Sequence, residues 1–420
     1  MEYIRIKGGI PLRGEAGIQS SKNAALPILA AALLAKGTTV LEKCPRITDV
    51  YHMTAIMEEL GCRIWWEEEN LCIDTSQLSR FDICCPSARC MRSSCLFLGS
   101  LLGRLGQARL PYPGGCVIGK RPIDIHMEGL KSMGVVFTEQ EEKINASVSR
   151  LEGCRIQLSY PSVGATENLL LAAVLAEGTT QIKGGAKEPE VEELSRFLNQ
   201  MGARIRWKDG ETLVIKGVKS LSPVTYQIVP DRIVAGTYLL AAVATRGKIT
   251  LHNVPWGHLG ALEVQLMKMG GRIRVLDHDV IFDASEAVHG LKEVRTLPYP
   301  GFPTDLQSQL AAALTLADSP SQIEETVFES RFAAMEELTK MQARIKIKER
   351  KIQIQPAAFL KGTDVHAGDL RGGAALVVAG LAAQGVTKVT GCEFLERGYS
   401  DIVKDIQSLG GRIEKVNQQP

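Results

Sequence analysis

The sequence lacks the features that mark membrane, secreted and nucleic-acid-binding proteins. Its longest apolar run, residues 24–35, contains Pro27 and is far shorter than the roughly 20 residues of a membrane-spanning helix. The first seven residues contain no apolar segment typical of a secretory signal. Lysine and arginine total 49 against 47 acidic residues, a balance that argues against nucleic-acid binding. We therefore expect a cytoplasmic protein with neither membrane nor nucleic acid as partner.

Metal-binding cysteine patterns are also missing. Eight of the ten cysteines lie between Cys44 and Cys116, but none forms a C-x-x-C pair, and the histidines near them are His52 and His126. This pattern does not support a zinc site, and without an export signal we expect no disulfides. Most of the cysteines are expected to be small buried side chains. We expect neither a metal nor a cofactor.

What the sequence does contain is an internal repeat of about seventy residues, in a chain whose 45% hydrophobic residues suffice for large cores. A Met/Leu-Gly-x-x-Ile pattern recurs every 68 to 73 residues and is looser in its second and fifth copies. The copies begin at Leu60, Met133, Met201, Met269, Met341 and Leu409. Six repeats account for all 420 residues.

Each repeat has the same predicted elements. In the third repeat, the Ala/Leu-rich stretch 169–176 indicates a buried helix that a strand follows. An amphipathic helix begins near Glu188-Pro189, and Asp209-Gly210 then turns a hairpin. Helices that alternate with short strands predict α/β units, each with a small sheet packed on helices.

The ends of the chain predict how the repeats are grouped. The sixth repeat stops before its return strand, and residues 3–8 resemble the return strand at 213–217. We infer that the amino-terminal strand completes the last repeat. The chain would then form one domain from residues 21–229 and another from 1–20 with 230–420.

The first helix of each repeat begins with residues that suggest an anion site. The predicted starts are Ser21, a position near Cys90, Ser162, Asp231, Thr304 and Asp369. Cations follow four of them, at Lys22, Arg92, Arg232 and Arg371, although a helix N-terminus favours negative charge. Either these long side chains reach solvent, or the helix ends surround a bound phosphate or carboxylate.

The loop at 113–122 is the longest of its kind and carries three glycines around Cys116. Lys120 and Arg121 would favour a reactive thiolate, although a passive surface thiol fits the spacing too. Arginines recur at equivalent or nearly equivalent loop positions, namely Arg121, Arg331 and Arg397. Arginine suits the recognition of phosphate and carboxylate groups.

Asp305 has two interpretations. Thr304 and Gln307 have the spacing of a capping box, in which case Asp305 belongs to an ordinary helix start. Alternatively, its carboxylate orients or deprotonates a substrate hydroxyl.

Longer motifs resemble those of the bacterial UDP-N-acetylglucosamine enolpyruvyl transferase family, in order and over essentially the whole chain. They are SKNAALP at 21–27, MR at 91–92, PGGCVIGKRPIDIH at 113–126, SVGAT at 162–166, PDRI at 230–233, FPTD at 302–305, RF at 331–332, DLR at 369–371 and RGY at 397–399. The resemblance implies two domains of three repeated α/β units, an inside-out α/β barrel, with the active site between them. It also implies transfer of the enolpyruvyl group of phosphoenolpyruvate to the 3′-hydroxyl of UDP-N-acetylglucosamine, by addition and elimination of phosphate.

The resemblance further implies roles for individual residues. Cys116 would be the general acid toward the enol carbon and could attach covalently to phosphoenolpyruvate or to fosfomycin, and Asp305 would be the base or orienting group. The phosphoenolpyruvate site would comprise Lys22, Asn23, Arg92, Arg121 and Arg397, with Lys22 and Arg397 also catalytic. The nucleotide-sugar site would comprise Asn23, Arg92, Arg121, Pro122, Ile123, Asp124, Ile125, Ser162, Val163, Gly164, Asp305 and Val327. Further active-site candidates are Arg331, Asp369 and Arg371. The substrates would be small molecules, and the protein a monomer or weak homo-oligomer.

The sequence departs from the family pattern at a few positions. Ser330 replaces the usual asparagine before Arg331, Tyr160 stands where some members have a basic residue, and Gln342 replaces the repeat glycine. Two alternatives therefore stay open, namely an enolpyruvyl transferase for another acceptor and a non-catalytic relative that binds a UDP-sugar.

Overall fold

The computed structural model describes residues 2–114, 123–140, 142–286 and 288–417. These residues form two compact units. Residues 20–114 and 123–229 make up what we call the central unit, and residues 2–19 and 230–417 make up the terminal unit. Each unit has a hydrophobic core of its own.

The third repeat illustrates the local structure that recurs along the chain. Its first helix, Val163–Ala173, is buried from Ala165 onward. The strand Thr179–Lys183 follows, then the helix Pro189–Gln200, which begins with the predicted proline. Arg204–Lys208 and Thr212–Lys216 form the hairpin around Asp209-Gly210. The predicted order of elements in this repeat is confirmed.

The remaining elements of the central unit follow the same order. Its other helices are Lys22–Ala32, Thr48–Glu59, Ser87–Cys90, Phe97–Leu105 and Asp124–Ser132, with a 3-10 turn at Arg92–Leu96. Its other strands are Thr38–Glu42, Arg63–Glu67, Asn70–Asp74, Gln107–Pro111, Val136–Gln140, Lys143–Ser147, Arg155–Gln157 and Thr225–Gln227.

The terminal unit is built in the same way. Its helices are Arg232–Thr245, Gly260–Lys268, Gln307–Leu314, Ala333–Lys340, Leu370–Ala382, Cys392–Leu395 and Ile402–Ser408, with 3-10 turns at Trp256–His258 and Thr304–Leu306. Its strands are Glu2–Lys7, Arg13–Gly17, Lys248–His252, Arg272–Leu276, Asp279–Asp283, Val294–Arg295, Ser321–Glu324, Arg344–Lys348, Lys351–Gln355, Asp364–His366, Val386–Thr390 and Arg412–Asn417.

Strand pairing links successive repeats within each unit. In the described residues there are six sheets, five of four strands and one of three. A short edge strand that follows one repeat pairs in parallel with the next repeat's sheet, as Arg155–Gln157 does with Thr179–Lys183. In the central unit Thr225–Gln227 returns to pair with Thr38–Glu42 of the first repeat. Through this pairing, the strand that follows the third repeat is joined to the sheet of the first repeat.

The amino-terminal strand completes the sixth repeat, as the sequence predicted. Glu2–Lys7 lies between Val386–Thr390 and Arg412–Asn417 and pairs antiparallel with both. Its apolar side chains Ile4 and Ile6 are buried, while the other side chains of the strand are exposed or half-buried. The chain ends therefore meet in one sheet of the terminal unit.

The repeat glycine has a conformational reason. At the end of each amphipathic helix the backbone takes a positive φ, which glycine adopts without the steric cost that a Cβ brings. Gly61, Gly202 and Gly410 have φ of 101°, 106° and 84°. Gln342 occupies the same position in the fifth repeat with φ of 70°, and its side chain is exposed.

We expect Gln342→Gly to stabilise the protein by about 0.5–1 kcal/mol, because glycine removes the left-handed strain and no side-chain contact is lost. Equilibrium urea unfolding measures the change. Gln342→Ala is the matched control, since alanine keeps the Cβ and therefore the strain. Equal unfolding midpoints for the glycine and alanine variants would contradict the explanation.

Candidate active site

Four of the six predicted helix starts are confirmed by their caps. The Ser21 hydroxyl accepts a hydrogen bond from the Ala24 N–H at 3.3 Å, and Ser162 accepts one from Ala165 at 3.3 Å. Asp231 caps the helix Arg232–Thr245, and Asp369 caps Leu370–Ala382, each through one carboxylate oxygen and two N–H groups. The first N–H groups of a helix have no acceptor within the helix, and at a buried helix start water cannot provide one. Side-chain caps supply the missing acceptors.

The other two starts differ from the prediction. Near Cys90, a short helix ends and a 3-10 turn begins at Arg92, so the long helix starts only at Phe97. Thr304 begins a 3-10 turn and does not cap it. Of the two interpretations of this segment, the capping box of Thr304 and Gln307 is therefore wrong, because the Thr304 hydroxyl donates to the Glu325 carboxylate instead, at 2.8 Å.

Lys22 binds a carboxylate that sequence reasoning missed. Its Nζ lies 2.9 Å from Oδ2 of Asp49, and the side chains are only 12% and 2% exposed. Asp49 lies in the first turn of Thr48–Glu59, where an acidic residue is the ordinary choice, so the sequence carried no distinguishing signal. Asn23 is half-buried beside Lys22 at the same helix start.

Arg92 also has a carboxylate nearby. Burial lowers the pKa of Arg92, and the charge of Asp124 opposes that shift by favouring the cation. Asp124 begins the helix Asp124–Ser132, directly after the buried Ile123, and Ile125 is half-buried. The structure thus brings Arg92 close to one of the predicted nucleotide-binding segments.

The two predicted nucleotide-binding segments of the central unit meet at His126. A Cβ added to Gly164 would lie 3.2 Å from Cε1 of this buried imidazole, so glycine permits the close approach. Asn168 lies behind the ring, with its amide nitrogen 3.0 Å from Nδ1 of His126 and 2.8 Å from the Cys95 carbonyl oxygen. The helices that carry these two segments, Asp124–Ser132 and Val163–Ala173, are therefore joined through a buried hydrogen bond between His126 and Asn168.

In the terminal unit, Asp305 is bound by two buried arginines. Its Oδ1 accepts from Nη1 of Arg331 at 2.9 Å, and its Oδ2 accepts from Nη2 of Arg371 at 2.8 Å. Although burial disfavours the charged carboxylate, the two guanidinium groups hold the pKa of Asp305 well below its usual range. Asp305 raises the pKa of Arg371 in return. This carboxylate stays ionised and can accept a further hydrogen bond.

The remaining predicted site residues of the terminal unit lie on separate elements. The Asp369 carboxylate is used as a helix cap, with Oδ1 accepting from the N–H groups of Arg371 and Gly372. Val327 is half-buried and donates its N–H to Glu325 at 2.8 Å. Arg397 is half-buried just after the helix Cys392–Leu395.

Three predicted site residues lie outside the described residues, namely Cys116, Arg121 and Pro122. The nine described cysteines are free thiols, of which five are buried. Over the described ranges no three metal-binding side chains come together. Among those same residues, no helix has the length and hydropathy needed to span a bilayer.

Comparison with known proteins identifies the family. Residues 6–406 match the family described as EPSP synthase (3-phosphoshikimate 1-carboxyvinyltransferase). The chain belongs to the EPSP synthase family. Its relatives in this family include UDP-N-acetylglucosamine 1-carboxyvinyltransferase 2 of Caldanaerobacter subterraneus subsp. tengcongensis, 43% identical over 99% of this chain and 100% of that protein. The enzyme of the same name from Clostridium tetani is 40% identical with the same coverage.

Solved structures of an enolpyruvyl transferase and of an EPSP synthase share the fold. The enolpyruvyl transferase NikO of Streptomyces tendae matches with a TM-score of 0.90 and 26% identity, covering 100% of this chain and 99% of that one. EPSP synthase of Acinetobacter baumannii matches with a TM-score of 0.74 and 18% identity, covering 99% of this chain and 100% of that one. The predicted enolpyruvyl transferase fold, with its repeated α/β units, is confirmed.

We expect Asp305→Asn to lower the free energy of unfolding by about 3 kcal/mol at pH 7, because it leaves two buried arginines without their anion. Since the folded-state pKa of Asp305 is lowered, its stabilising contribution is complete above the unfolded pKa of about 4 and is lost as the pH falls through the folded pKa.

Urea unfolding of both proteins at pH 7, 5 and 3 measures this contribution. The difference in free energy of unfolding between the unmodified protein and Asp305→Asn should be the same at pH 7 and pH 5 and should be smaller at pH 3. Asp364→Asn is the matched control, because it removes only an exposed ion pair with Lys388. A difference that already shrinks between pH 7 and 5 would contradict the lowered pKa.

Proposed function

We propose that this protein transfers the enolpyruvyl group of phosphoenolpyruvate to the 3′-hydroxyl of UDP-N-acetylglucosamine, with release of phosphate. The observation that carries this proposal is the full-length identity of 40–43% to enzymes named UDP-N-acetylglucosamine 1-carboxyvinyltransferase. In a bacterium this reaction is the first committed step of peptidoglycan synthesis. The substrates are small molecules, and we propose that the enzyme acts in the cytoplasm as a monomer or weak homo-oligomer.

The charge distribution of the described residues supports anionic substrates. Lys22 stands at the start of the buried helix Lys22–Ala32, where the helix dipole adds positive potential, and Arg92 begins the 3-10 turn that precedes the helix Phe97–Leu105. Together with Arg121 and Arg397, they would hold the phosphate and carboxylate of phosphoenolpyruvate, as carried over from the family motifs. Asp49 would keep the ammonium of Lys22 in place beside Asn23.

The contacts of Asp305 favour orientation of the acceptor hydroxyl over proton abstraction. A general base works best when its pKa lies near the operating pH, but two guanidinium groups keep the pKa of Asp305 well below its usual range. An ionised carboxylate with fixed oxygens can instead accept a hydrogen bond from the sugar hydroxyl and hold it for attack. Cys116 would deliver the proton to the enol carbon.

The uridine diphosphate would bind at the segments that meet around His126. Gly164 lies in the first turn of the helix Val163–Ala173, and a helix N-terminus is suited to binding a diphosphate. Pro122, Ile123, Asp124 and Ile125 would contact the nucleoside, and Val327 the sugar. These assignments rest on the motifs and on the contact between residues 123–126 and 162–164.

We expect phosphate release from phosphoenolpyruvate to require UDP-N-acetylglucosamine and to fall by a factor of about 10² to 10⁴ in kcat for Asp305→Ala, because the acceptor hydroxyl loses its orienting group. Cys116→Ser should also lose most of the activity. Continuous phosphate detection measures both, and Asp364→Ala, an exposed aspartate, is the control. Turnover with shikimate 3-phosphate in place of the nucleotide sugar, or tight nucleotide-sugar binding without any turnover, would refute the proposal.

We expect the activity ratio of the unmodified enzyme to Asp305→Asn to stay constant from pH 5.5 to 9. The lowered pKa keeps Asp305 ionised throughout this range, so no part of the pH profile reports its titration. Steady-state kcat/KM measured for both proteins across the range checks this. A ratio that falls toward one at the acid end would show that Asp305 titrates as a base.

A further inference from the structure

Glu325 is a buried carboxylate that the sequence motifs did not single out. It directly follows the strand Ser321–Glu324 and is 0% exposed. Its Oε1 accepts from the N–H groups of Val327 at 2.8 Å and Phe328 at 3.0 Å. Its Oε2 accepts from the Thr304 hydroxyl at 2.8 Å. Within the described part of the chain, these three hydrogen bonds all come from neutral donors.

The contact with Thr304 fixes the direction of a chain of hydrogen bonds. A hydroxyl has one proton, and the Glu325 carboxylate can only accept it. The oxygen of Thr304 is thereby left to accept from Nη1 of Arg331, which lies 2.9 Å away. The same Nη1 donates to Oδ1 of Asp305 at 2.9 Å. Through the Thr304 hydroxyl, Glu325 therefore fixes the position from which the Arg331 guanidinium donates to Asp305.

A second contact of Arg331 depends on Glu325 as well. The guanidinium carbon of Arg331 lies 4.8 Å from the centre of the Phe328 ring. The backbone at Phe328 and Val327 is held by the other oxygen of Glu325. One carboxylate thus fixes both the hydroxyl and the aromatic residue that contact the arginine.

Burying a carboxylate among neutral donors is costly, and stability alone does not account for it. Moving an ionised group out of water costs several kcal/mol, which hydrogen bonds from uncharged donors only partly offset. An apolar residue of the same volume would avoid that cost but would leave the N–H groups of Val327 and Phe328 and the Thr304 hydroxyl without this acceptor. A neutral amide could accept from the two N–H groups, but its NH2 group would donate to Thr304, so it could not fix the direction of that hydroxyl as a carboxylate does.

We propose that Glu325 is a positioning residue for the acceptor hydroxyl. Through Thr304 and Arg331 it sets the direction of the Asp305 carboxylate, and through the backbone of Val327 it shapes the segment expected to contact the sugar. This inference rests on the proposed function, because the acceptor is the hydroxyl that Asp305 would orient.

Glu325→Gln tests the inference, since the amide has the same shape but can donate to Thr304 and reverse its hydrogen bond. We expect kcat/KM for UDP-N-acetylglucosamine to fall by about tenfold to a hundredfold, because the Asp305 carboxylate is misplaced. The KM for phosphoenolpyruvate at saturating nucleotide sugar should change less than twofold. Glu324→Gln is the matched control, because within the described residues this neighbouring carboxylate pairs with Arg295, at 2.6 Å and near the surface.

Thr304 provides a second pair of variants in case Glu325→Gln does not fold. Thr304→Ser keeps the hydroxyl and should retain more than half of the activity, whereas Thr304→Val should lose as much as Glu325→Gln. Glu325→Gln and Thr304→Val break the same chain of hydrogen bonds. The double variant should therefore lose no more kcat/KM than the more impaired single variant.

Two results would overturn the inference while the unmodified enzyme turns over UDP-N-acetylglucosamine. One is a kcat/KM of Glu325→Gln within twofold of the unmodified enzyme when corrected for the folded fraction. The other is strictly additive losses of kcat/KM for Glu325→Gln and Thr304→Val, which would show that the two residues act independently and not through one chain of hydrogen bonds. Absence of turnover by the unmodified enzyme would instead refute the proposed function.

Discussion

The burial of the first helix of each repeat over most of its length is the constraint on which the rest of the structure depends. All fourteen residues of Arg232–Thr245 are buried, and so are the first twelve of Leu370–Ala382. A helix enclosed on every side satisfies its inner backbone groups by itself, but its first N–H groups have no partner within the helix. Polar side chains therefore collect at the N-termini of these helices, at Ser21, Ser162, Asp231 and Asp369. Several of the candidate site residues therefore lie at the N-termini of the buried helices.

Cations at those ends require anions nearby, which explains the carboxylates that the structure places there. Lys22 meets Asp49, and Arg371 with Arg331 meets Asp305. Each cation would otherwise be partly desolvated next to a helix dipole of the same sign, an arrangement that costs free energy. In the proposed reaction the substrate supplies further negative charge at these positions. The pairing of Asp305 with two arginines also explains why its oxygens are fixed and its pKa is low.

The fold and part of the site were predictable from the sequence for a physical reason. An internal repeat is visible in the sequence as a regular spacing of residue types. Local patterns therefore predicted the buried helices, the hairpin at Asp209-Gly210 and the completion of the sixth sheet by residues 2–7. The capping box at Thr304 was wrong because the local pattern could not reveal a partner 21 residues away. Asp49, Asn168 and Glu325 were missed because each resembles an ordinary helix-start or core-flanking residue along the chain.

By itself, the sequence determined which segments become buried helices, which residues cap them and which family the chain belongs to, because these properties depend on local pattern and on motifs in order. Only the tertiary structure decided how charges and hydrogen bonds are paired. Lys22 meets Asp49, Asp305 meets Arg371, and Glu325 meets Thr304, in each case a partner from another segment of the chain that packing brings within 3 Å. Because the energy of a buried charge depends on its nearest neighbours, the chemistry of these residues could not be predicted until those neighbours were known.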